Sequence, residues 1–453
     1  MDKRTFLKTT SVLAAGTVLF PLDACVRREE RSREKWMNWA GNLEYSTDRI
    51  YTPGTVRQLQ ERVRSSERVR VVGTRHSFNS IADSTEAHLV LGQLNRMELD
   101  EEAQTVTVGP GVTYGQLCPY LHERGYALHN LASLPHICVV GACSTATHGS
   151  GVDNGNLATA VSGIEFVDAS GALRSYTRNA DPEIFNGLVA GLGSIGVITG
   201  VTLEVQPTYE MRQQVYLNLP VSELGSHFNE IMSAGYSVSL FTDWQSDTVN
   251  QVWVKQRIDA DEGNAVRETD FFQARPAERD VHPIIELSAE NCTPQQGVAG
   301  PWYNRLPHFR MNFTPSSGKE LQAEYFVPAD RAMDAFNAVS SLRSRLKPLL
   351  LISEIRAVDA DGLWMSTAYG RPSVTFHFTL KQNWEGVKKL LPQIENKLEP
   401  FDARPHWGKN FTMGSSRLES LYERMADFRN LLEKFDPDGK FRNRFIRDHI
   451  GVT

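Results

Sequence analysis

The apolar and polar residues beyond position 36 follow two periods, which divide the chain into short strands and amphipathic helices. Alternation with a period of two predicts a strand, whereas apolar residues spaced three or four apart predict a helix. In the first half the strands are predicted at 69–72, 89–95, 97–99, 105–108, 161–167, 173–176 and 197–205, and the helices at 55–66, 113–124 and 181–188. This half therefore combines helices with sheet.

The pattern changes beyond Pro207, where longer strands alternate with helices. The strands are predicted at 214–218, 236–241, 251–256, 320–326, 349–356 and 374–379, and the helices at 222–234, 329–346 and 384–398. We therefore predict an α+β protein with domains at 36–207 and 208–411, the second of which has a mixed or antiparallel sheet. Residues 412–453, with a helix predicted at 418–435, would pack back on the first domain. The irregular residues 259–308 would form a surface excursion.

The first 35 residues have the layout of an export signal followed by a tether. A basic start with Lys3 and Arg4 precedes a mostly apolar run at 9–22, which is shorter than a membrane span. The start resembles a twin-arginine signal with Lys3 in place of the first arginine, and 22–25 resembles a lipoprotein cleavage box ending at Cys25. We expect an exported protein, either periplasmic or anchored to the membrane by a lipid on Cys25. A plain cleaved signal or a poorly exported chain is the alternative.

The composition is that of a soluble globular protein and argues against two classes of function. Among 453 residues, 41% are hydrophobic and 23% are charged, and the net charge is −6. This mild negative charge, without a block of Lys and Arg interleaved with aromatic residues, argues against a nucleic-acid binder. The five cysteines form no CxxC pair, so we expect neither a zinc site nor a thioredoxin-like motif, and we assign no metal ligands.

Two glycine-containing stretches suit the binding of an extended ligand. The first, VRVVGTRHSFN at 69–79, ends a strand at Gly73, where backbone N–H groups come close to phosphate oxygens. His76 in this loop can reach a bound cofactor, although a surface turn with a stray histidine is the alternative for the loop alone. The second stretch, 131–156, is too rich in glycine for a helix and too long for an ordinary turn.

A third glycine motif, GLGSIG at 191–196, matches the spacing of a dinucleotide fingerprint but stands in the wrong context. A Rossmann fingerprint follows a strand and opens a helix. Here a predicted helix precedes the motif and a predicted strand follows it. We therefore reject a Rossmann nucleotide site.

Two strands of the second half carry polar pairs spaced two residues apart. Glu354 and Arg356 share one face of their strand, and His377 and Thr379 share one face of theirs. Converging pairs of this kind suit a substrate with many hydroxyl groups. The alternatives are a structural ion pair for Glu354 and Arg356, a core histidine for His377 and a surface position for Lys409.

Together these motifs resemble one known family. The stretches occur in the order GTRHSFN, ASLPHICVVGACSTATHGSG, SEIR, HFT, RPHWGK and DPDGKFRN. The chain resembles FAD flavoproteins of the vanillyl-alcohol-oxidase type, and among them the alditol oxidase (xylitol oxidase) group, which is related to aldonolactone oxidases. The resemblance implies a two-domain FAD-binding fold of the vanillyl-alcohol-oxidase (PCMH) type with a separate α+β substrate domain. It also implies oxidation of an alditol such as xylitol or sorbitol at C1 to the aldose, with hydride transfer to flavin N5 and reduction of O2 to H2O2.

The resemblance further implies roles for individual residues. FAD would be bound covalently through His76, at the 8α-methyl of the flavin. The other cofactor contacts would come from Val71, Val72, Gly73, Thr74, Arg75, Ser77, Ser133, Cys138, Gly141, Thr145, Ala146, Thr147, His148, Ile198 and His406. The substrate would be bound by Ser133, Gln322, Glu354, Arg356, Thr379 and Lys409, and the catalytic set would be Glu354, Arg356, His377 and Lys409.

Within the catalytic set, charge divides the roles. Arg356 and Lys409 are the candidate cations beside the substrate oxygen. Either Glu354 or His377 could accept the hydroxyl proton or hold neighbouring hydroxyl groups. The residues alone do not select between these two bases.

Three positions depart from the family pattern. Arg75 stands where relatives commonly have a small residue, and Cys138 stands where serine is frequent. Ala146 stands where oxidases of the group usually have glycine, close to the flavin, which brings the reaction with O2 into question. The alternative is therefore a polyol or aldonolactone dehydrogenase that passes electrons to another acceptor in the cell envelope. From a different class, a polyol-binding envelope protein without turnover is also an alternative.

Overall fold

The computed structural model describes residues 36–258, 271–313 and 318–452. From Trp36 onward these residues form one compact unit. The export signal, the tether and Cys25 lie outside the described residues. Within the described part, no helix is both long and apolar enough to cross a lipid bilayer.

Helices occur along the whole described chain and are mostly short. The α-helices are α1 (Val56–Ser65), α2 (Tyr114–His122), α3 (Val139–Ser144), α4 (Pro182–Val189), α5 (Val221–Met232), α6 (Ala332–Ser340), α7 (Arg343–Leu346), α8 (Trp384–Leu398), α9 (Ser415–Leu421), α10 (Met425–Phe435) and α11 (Arg444–Ile450). The 3-10 helices are Ser80–Ala82, Leu157–Ala160, Trp302–Asn304, Ala329–Arg331 and Glu399–Phe401.

Three helix predictions were wrong in detail. The predicted helix at 329–346 is divided among a 3-10 turn, α6 and α7, and the Ser341 hydroxyl donates to the Ala338 carbonyl where α6 ends. The predicted helix at 418–435 is interrupted because Tyr422 has an extended backbone. The stretch at 131–156 does contain a helix, α3, because its glycines other than Gly141 come after that segment.

The strands range from two-residue pairs to eleven residues. They are β1 (Ile50–Tyr51), β2 (Arg70–Val71), β3 (His88–Leu89), β4 (Met97–Asp100), β5 (Thr105–Val108), β6 (Tyr126–Ala127), β7 (Val161–Val167), β8 (Leu173–Thr177), β9 (Val197–Glu204), β10 (Gln206–Pro207), β11 (Glu210–Pro220), β12 (Ser237–Thr242), β13 (Thr248–Arg257), β14 (Arg275–Pro276), β15 (Gly300–Pro301), β16 (Glu320–Pro328), β17 (Leu350–Val358), β18 (Ser373–Lys381) and β19 (Arg404–Pro405). Together with the helices they confirm the α+β class.

Two large sheets organise the described residues. The first has five antiparallel strands in the order β4-β5-β9-β7-β8, and the second has nine strands in the order β14-β11-β13-β12-β17-β18-β16-β19, with β15 beside β11. A smaller sheet, β1-β3-β2, is parallel, and β6 pairs with β10. The five-stranded sheet is formed by residues before Pro207, and the nine-stranded sheet by residues after it. The domain boundaries at 207 and 411 stay a prediction.

The centre of the nine-stranded sheet has one face in the core. Ile355 on β17 lies opposite Phe376 on β18, which lies opposite Tyr325 on β16. All three side chains are fully buried in the main apolar cluster. Burying an aliphatic or aromatic side chain contributes about 1.5–3 kcal/mol, so this row fixes the register of the three strands. Residues one position away consequently point to the opposite face.

Candidate active site

A cavity of about 540 Å³ is lined both by loops of the first half and by the centre of the nine-stranded sheet. Its volume is in the range of ligand-binding pockets. Among the residues that line it are all the predicted site residues except Ala146: Val71, Val72, Gly73, Thr74, Arg75, His76, Ser77, Ser133, Cys138, Gly141, Thr145, Thr147, His148, Ile198, Gln322, Glu354, Arg356, His377, Thr379, His406 and Lys409. The fold therefore brings the candidate cofactor loops and the candidate substrate strands to one cavity.

The loop that follows β2 presents a row of free amides. Val72 N–H donates to the Leu89 carbonyl at 2.9 Å, and Phe78 N–H donates to the Gly408 carbonyl at 2.8 Å. Between them, the N–H groups of residues 73–77 have no acceptor among the described residues. Backbone donors are rarely left unpaired, and successive free amides form a concave site for an anion. The loop thus suits the pyrophosphate of a dinucleotide.

Gly73 and Gly141 leave room for the side chain of Cys138 in the cavity wall. A Cβ atom at Gly73 would lie 2.5 Å from Sγ of Cys138, and one at Gly141 would lie 2.6 Å from the same sulfur. Neither position therefore accepts a side chain while Cys138 keeps its place. The absence of a side chain at Gly73 lets the loop after β2 lie close to Cys138, the N-cap residue of α3.

His76 lies in an aromatic environment beside the free amides. Its ring centroid is 4.3 Å from that of Trp39 and 4.9 Å from that of His136. Its Nδ1 is buried and has no hydrogen-bond partner among the described residues. Burial, followed by the charges of His136 and Lys409, lowers the pKa of His76 to about 3. The imidazole is consequently neutral at physiological pH.

Two of the departures from the family pattern have left-handed backbone. Arg75 has φ +62° and Ala146 has φ +50°, a region that glycine enters without steric cost. Arg75 is exposed, and its Nη1 donates to the Met37 carbonyl at 3.0 Å. Ala146 is fully buried, between two cavity-lining threonines. Glycine would adopt the conformation at position 146 at lower steric cost than alanine.

The polar face of the nine-stranded sheet carries a row of ionisable side chains. Glu354 on β17 lies opposite His377 on β18, which lies opposite Glu324 on β16. Two residues along, Thr379 lies opposite Gln322. The predicted polar pairs therefore do converge, and they do so on the face opposite the apolar row.

Glu324, which was not predicted, is the centre of the charge network. Arg356 Nη2 donates to its Oε1 at 2.7 Å, and Lys409 Nζ donates to its Oε2 at 2.5 Å. Burial raises the pKa of Glu324, but Lys409, then His148 and Arg356, hold it well below its usual range. The sequence did carry a signal, because Glu324 is two residues from Gln322 and shares its face.

The two candidate bases have different charge states. Burial raises the pKa of Glu354, but Arg356 and then His308 lower it, so that the pKa lies well below that of a free glutamate. His308 Nε2 lies 2.7 Å from Glu354 Oε1. Burial and then Lys409 lower the pKa of His377 to about 3, and both its ring nitrogens are buried without a partner among the described residues. Glu354 is therefore an ionised hydrogen-bond acceptor. His377 is a neutral imidazole whose two ring nitrogens make no hydrogen bond to the described residues.

Three side chains of this region also have the spacing of a metal site. One ligand atom from each of His148, Glu324 and His406 lies within 4.8 Å of the others. Arg356 and Lys409 already donate to the same carboxylate. A divalent cation would face both of these fixed positive charges, so we assign the cluster to the ion-pair network.

The GLGSIG motif has the predicted order, between α4 and β9, and yet it reaches the cavity. Leu192, Gly193 and Gly196 line the wall. Arg70 positions this loop by donating to the carbonyls of Gly193 at 2.7 Å and Leu192 at 2.9 Å. Sequence order excludes a Rossmann site but carries no signal for this contact.

Comparisons with known proteins agree with this geometry. Residues 47–177 match the family model described as FAD binding domain, and residues 313–449 match that described as D-arabinono-1,4-lactone oxidase. The chain is 44% identical to an alditol oxidase of Streptomyces sp. over 417 residues, which cover 91% of this chain and 98% of that protein. It is 25% identical to an L-gulono-1,4-lactone dehydrogenase of Mycobacterium tuberculosis, with coverage of 92% and 99%. The crystal structure of cholesterol oxidase from B. sterolicum superposes with a TM-score of 0.74 at 15% identity, with coverage of 91% and 96%.

Fold and site define an FAD-dependent oxidoreductase with the vanillyl-alcohol-oxidase (PCMH) architecture, acting on CH–OH groups. Within this class the chain belongs to the alditol oxidase family, because 44% identity extends over nearly the whole of the Streptomyces relative. These findings confirm the fold class and the family resemblance that the sequence motifs indicated.

Proposed function

We propose that the protein oxidises an alditol at C1 to the corresponding aldose, with O2 as the electron acceptor and H2O2 as the second product. One observation carries the proposal: Glu354 and His377, which lie in one row with Glu324, line the same cavity as the loop that suits FAD. The 44% identity to an alditol oxidase supports the choice of substrate class.

The residues present fit FAD. The free amides of residues 73–77 would hold its pyrophosphate, and Cys138, with its neighbouring glycines, would form the wall beside it. His76 would carry the flavin covalently, since a neutral imidazole nitrogen without a partner is free to bond to carbon. The bound cofactor would supply the acceptor for the hydride that leaves the alcohol carbon.

The charges of the site suit an uncharged substrate. Within the network on the sheet, Glu324 and Glu354 are ionised and Arg356 and Lys409 supply two positive charges, so the formal sum over these four side chains is zero. His377 adds no charge. A neutral polyol enters such a site without leaving a buried charge unpaired, whereas an aldonate would bring one.

The chain's own residues have complementary parts in the oxidation. Glu354 would accept the hydroxyl proton, because it is ionised and only its Oε1 is bonded to His308. Arg356 and Lys409 would stabilise negative charge on the substrate oxygen. Gln322 and Thr379, on adjoining strands, would hold further hydroxyl groups.

The electron acceptor separates the leading proposal from a second candidate. Ala146, at the position where oxidases usually have glycine, and the 25% identity to a lactone dehydrogenase favour an aldonolactone or polyol dehydrogenase with another acceptor in the envelope. A polyol binder without turnover is the remaining possibility. Export, with a lipid on Cys25 or a cleaved signal, is likewise a proposal that rests on residues 1–35.

The test uses the purified holoenzyme and a panel of xylitol, sorbitol and L-gulono-1,4-lactone. We expect alditols to support O2 consumption with one H2O2 per aldose, at rates above those with the lactone. Turnover with an artificial electron acceptor but without O2 consumption would identify a dehydrogenase. Turnover with the lactone alone would contradict the alditol assignment.

Covalent attachment is tested separately by acid precipitation. Flavin absorbance should remain with the precipitated wild-type chain, and a peptide containing His76 should carry the added mass. The variant His76→Ala should lose this acid-stable flavin. His136→Ala, which removes the neighbouring imidazole, is the matched control and should retain it. Release of flavin from the wild-type chain by acid would contradict the covalent link.

A further inference from the structure

A buried lysine lies behind the candidate active site and belongs to none of the predicted sets. Lys255 on β13 is 0% exposed and has no carboxylate within ion-pair distance among the described residues. Its Nζ donates to the carbonyls of Leu306 and, at 3.2 Å, Pro307, and lies 3.3 Å from Nδ1 of His308. A buried ammonium is costly unless its protons are hydrogen-bonded, and here all three have an acceptor.

These contacts continue to Glu354 through one imidazole. His308 lies with Nδ1 toward Lys255 and with Nε2 2.7 Å from Oε1 of Glu354. An ammonium has donors only, so Nδ1 has to accept. The proton of the neutral ring is then on Nε2, from which it is donated to Glu354. This assignment of the tautomer follows from the hydrogen-bond network.

The second oxygen of Glu354 is left for the substrate. Oε1 receives the His308 proton, and no hydrogen bond is made to Oε2 among the described residues. Glu354 also lines the cavity. A carboxylate that is held at one oxygen presents the other in a fixed direction, as a proton acceptor for an alcohol requires.

We propose that Lys255 and His308 are positioning residues for the oxidation: Lys255 fixes His308 as the Nε2–H tautomer, and His308 holds Glu354 so that Oε2 meets the substrate hydroxyl. This inference rests on the proposed function and identifies Glu354, rather than His377, as the base. The proton leaves the hydroxyl oxygen for Oε2, while the hydride leaves the carbon that bears this hydroxyl and is accepted by the cofactor. Atoms and charge therefore balance.

The groups around the imidazole determine the pH range in which this arrangement holds. His308 faces Lys255, Glu354 and Arg356, and burial followed by Lys255 lowers its pKa to about 4. Lys255 faces Glu354, Arg356 and Cys292, and burial lowers its pKa to about 7. Between these two values Lys255 is charged and His308 is neutral.

The tautomer can be observed without turnover. Holoenzyme labelled with ¹⁵N-histidine would be examined by long-range proton–nitrogen NMR at about pH 5.5, with His308→Gln used to assign the signal. We expect a neutral ring that is protonated on Nε2. A ring protonated on Nδ1, or on both nitrogens, would overturn the proposal whether or not any polyol is oxidised.

The effect on the reaction is tested with substitutions of the lysine. In Lys255→Met the positive charge that lowers the pKa of His308 is absent, so imidazolium forms at higher pH. We expect flavin reduction by alditol to slow at least about tenfold near pH 6, with a smaller effect near pH 8 and little change in KM. Lys255→Arg, which keeps the charge, should restore the wild-type pH profile in part.

Lys347→Met, at an exposed lysine, is the matched control and should behave as wild type. If Lys255→Met folds and its pH profile superimposes on that of the wild type, the positioning role is wrong. If Lys255→Met does not fold, the NMR result on the wild-type chain still decides. Failure of the wild-type enzyme to oxidise any alditol would instead contradict the proposed function.

Discussion

Arg356 on β17 reaches across the intervening strand β18 and donates from Nη2 to Oε1 of Glu324 on β16, at 2.7 Å. Both side chains are buried, and Lys409 donates to the other carboxylate oxygen. The ion pair thus ties together the outer two of three strands that carry the candidate substrate residues. It also keeps two cations fixed beside the cavity, where a developing alkoxide would need them.

Removal of the shared carboxylate should destabilise the fold. In Glu324→Gln the buried Arg356 and Lys409 lose their counter-charge, and breaking a buried ion pair costs about 3–5 kcal/mol. Urea denaturation at pH 7 measures the change in the free energy of unfolding. Glu61→Gln, at an exposed ion pair with Arg57, is the control and should change it by less than about 1 kcal/mol. Equal stabilities of Glu324→Gln and Glu61→Gln would show that the network contributes nothing to stability.

The buried neutral histidines should make the stability of the protein depend on pH in mild acid. The pKa values of His308 and His377 are lowered to about 4 and about 3, whereas an unfolded histidine titrates near 6.5. Below about pH 6.5 the unfolded chain therefore binds protons that the folded chain does not. Each such histidine should lower the free energy of unfolding as the pH decreases toward 4, by up to about 1.4 kcal/mol per pH unit. Asp361 and Asp436, whose pKa values burial raises to about 6, act in the opposite direction, so the histidine contribution is read from a variant.

Urea denaturation at pH 7, 6 and 5 measures this slope. His377→Asn removes one of these imidazoles and should change the dependence by about one proton relative to the wild type. A pH dependence of His377→Asn that superimposes on that of the wild type would contradict the neutral state of His377.

Substitution of Ala146 by glycine should act on the reaction with O2 and not on substrate oxidation. Ala146→Gly removes a methyl group at the position for which the family resemblance implies an effect on O2 access, and it relieves a left-handed backbone at φ +50°. We expect faster reoxidation of the reduced flavin by air, with an unchanged rate of anaerobic reduction by alditol. Stopped-flow absorbance follows both half-reactions. Unchanged reoxidation would show that the methyl group does not limit the reaction with O2.

The contact between Gly73 and Cys138 should be essential for FAD binding. In Gly73→Ala the new Cβ would lie 2.5 Å from Sγ, so the loop with the free amides has to move, and the FAD content of the purified protein should decrease. Cys138→Ala removes the sulfur, so the double variant should regain cofactor. Gly92→Ala, where nothing lies within 4 Å of the added Cβ, is the control. No recovery in the double variant would contradict this steric explanation.

The period of two indicated most of the site residues that lie on strands. Glu354 and Arg356, like His377 and Thr379, were predicted to share a face because the period of a strand is two, and the register then placed them side by side. Glu324 follows from the same rule and was overlooked. Lys255 and His308 lie about fifty residues apart in the chain, and His308 follows an irregular segment, so no local period marks their contact.

The fold shows the same division between local and tertiary causes. The strands at 105–108 and 161–167 were predicted with their observed bounds because their apolar patterns are regular. The breaks at Ser341 and Tyr422 were not predicted, because the apolar pattern from which the two helices were inferred does not mark them. The contribution of the GLGSIG loop to the cavity also depends on a distant side chain, Arg70.

The most direct measurement is an anaerobic titration of the holoenzyme with xylitol, in which the flavin absorbance and the aldose are quantified together. We expect one equivalent of alditol to bleach one flavin and release one aldose, and deuterium at C1 to slow the bleaching. If the flavin stays oxidised at saturating concentrations of every alditol, although dithionite reduces it, the proposed oxidation in this cavity is wrong.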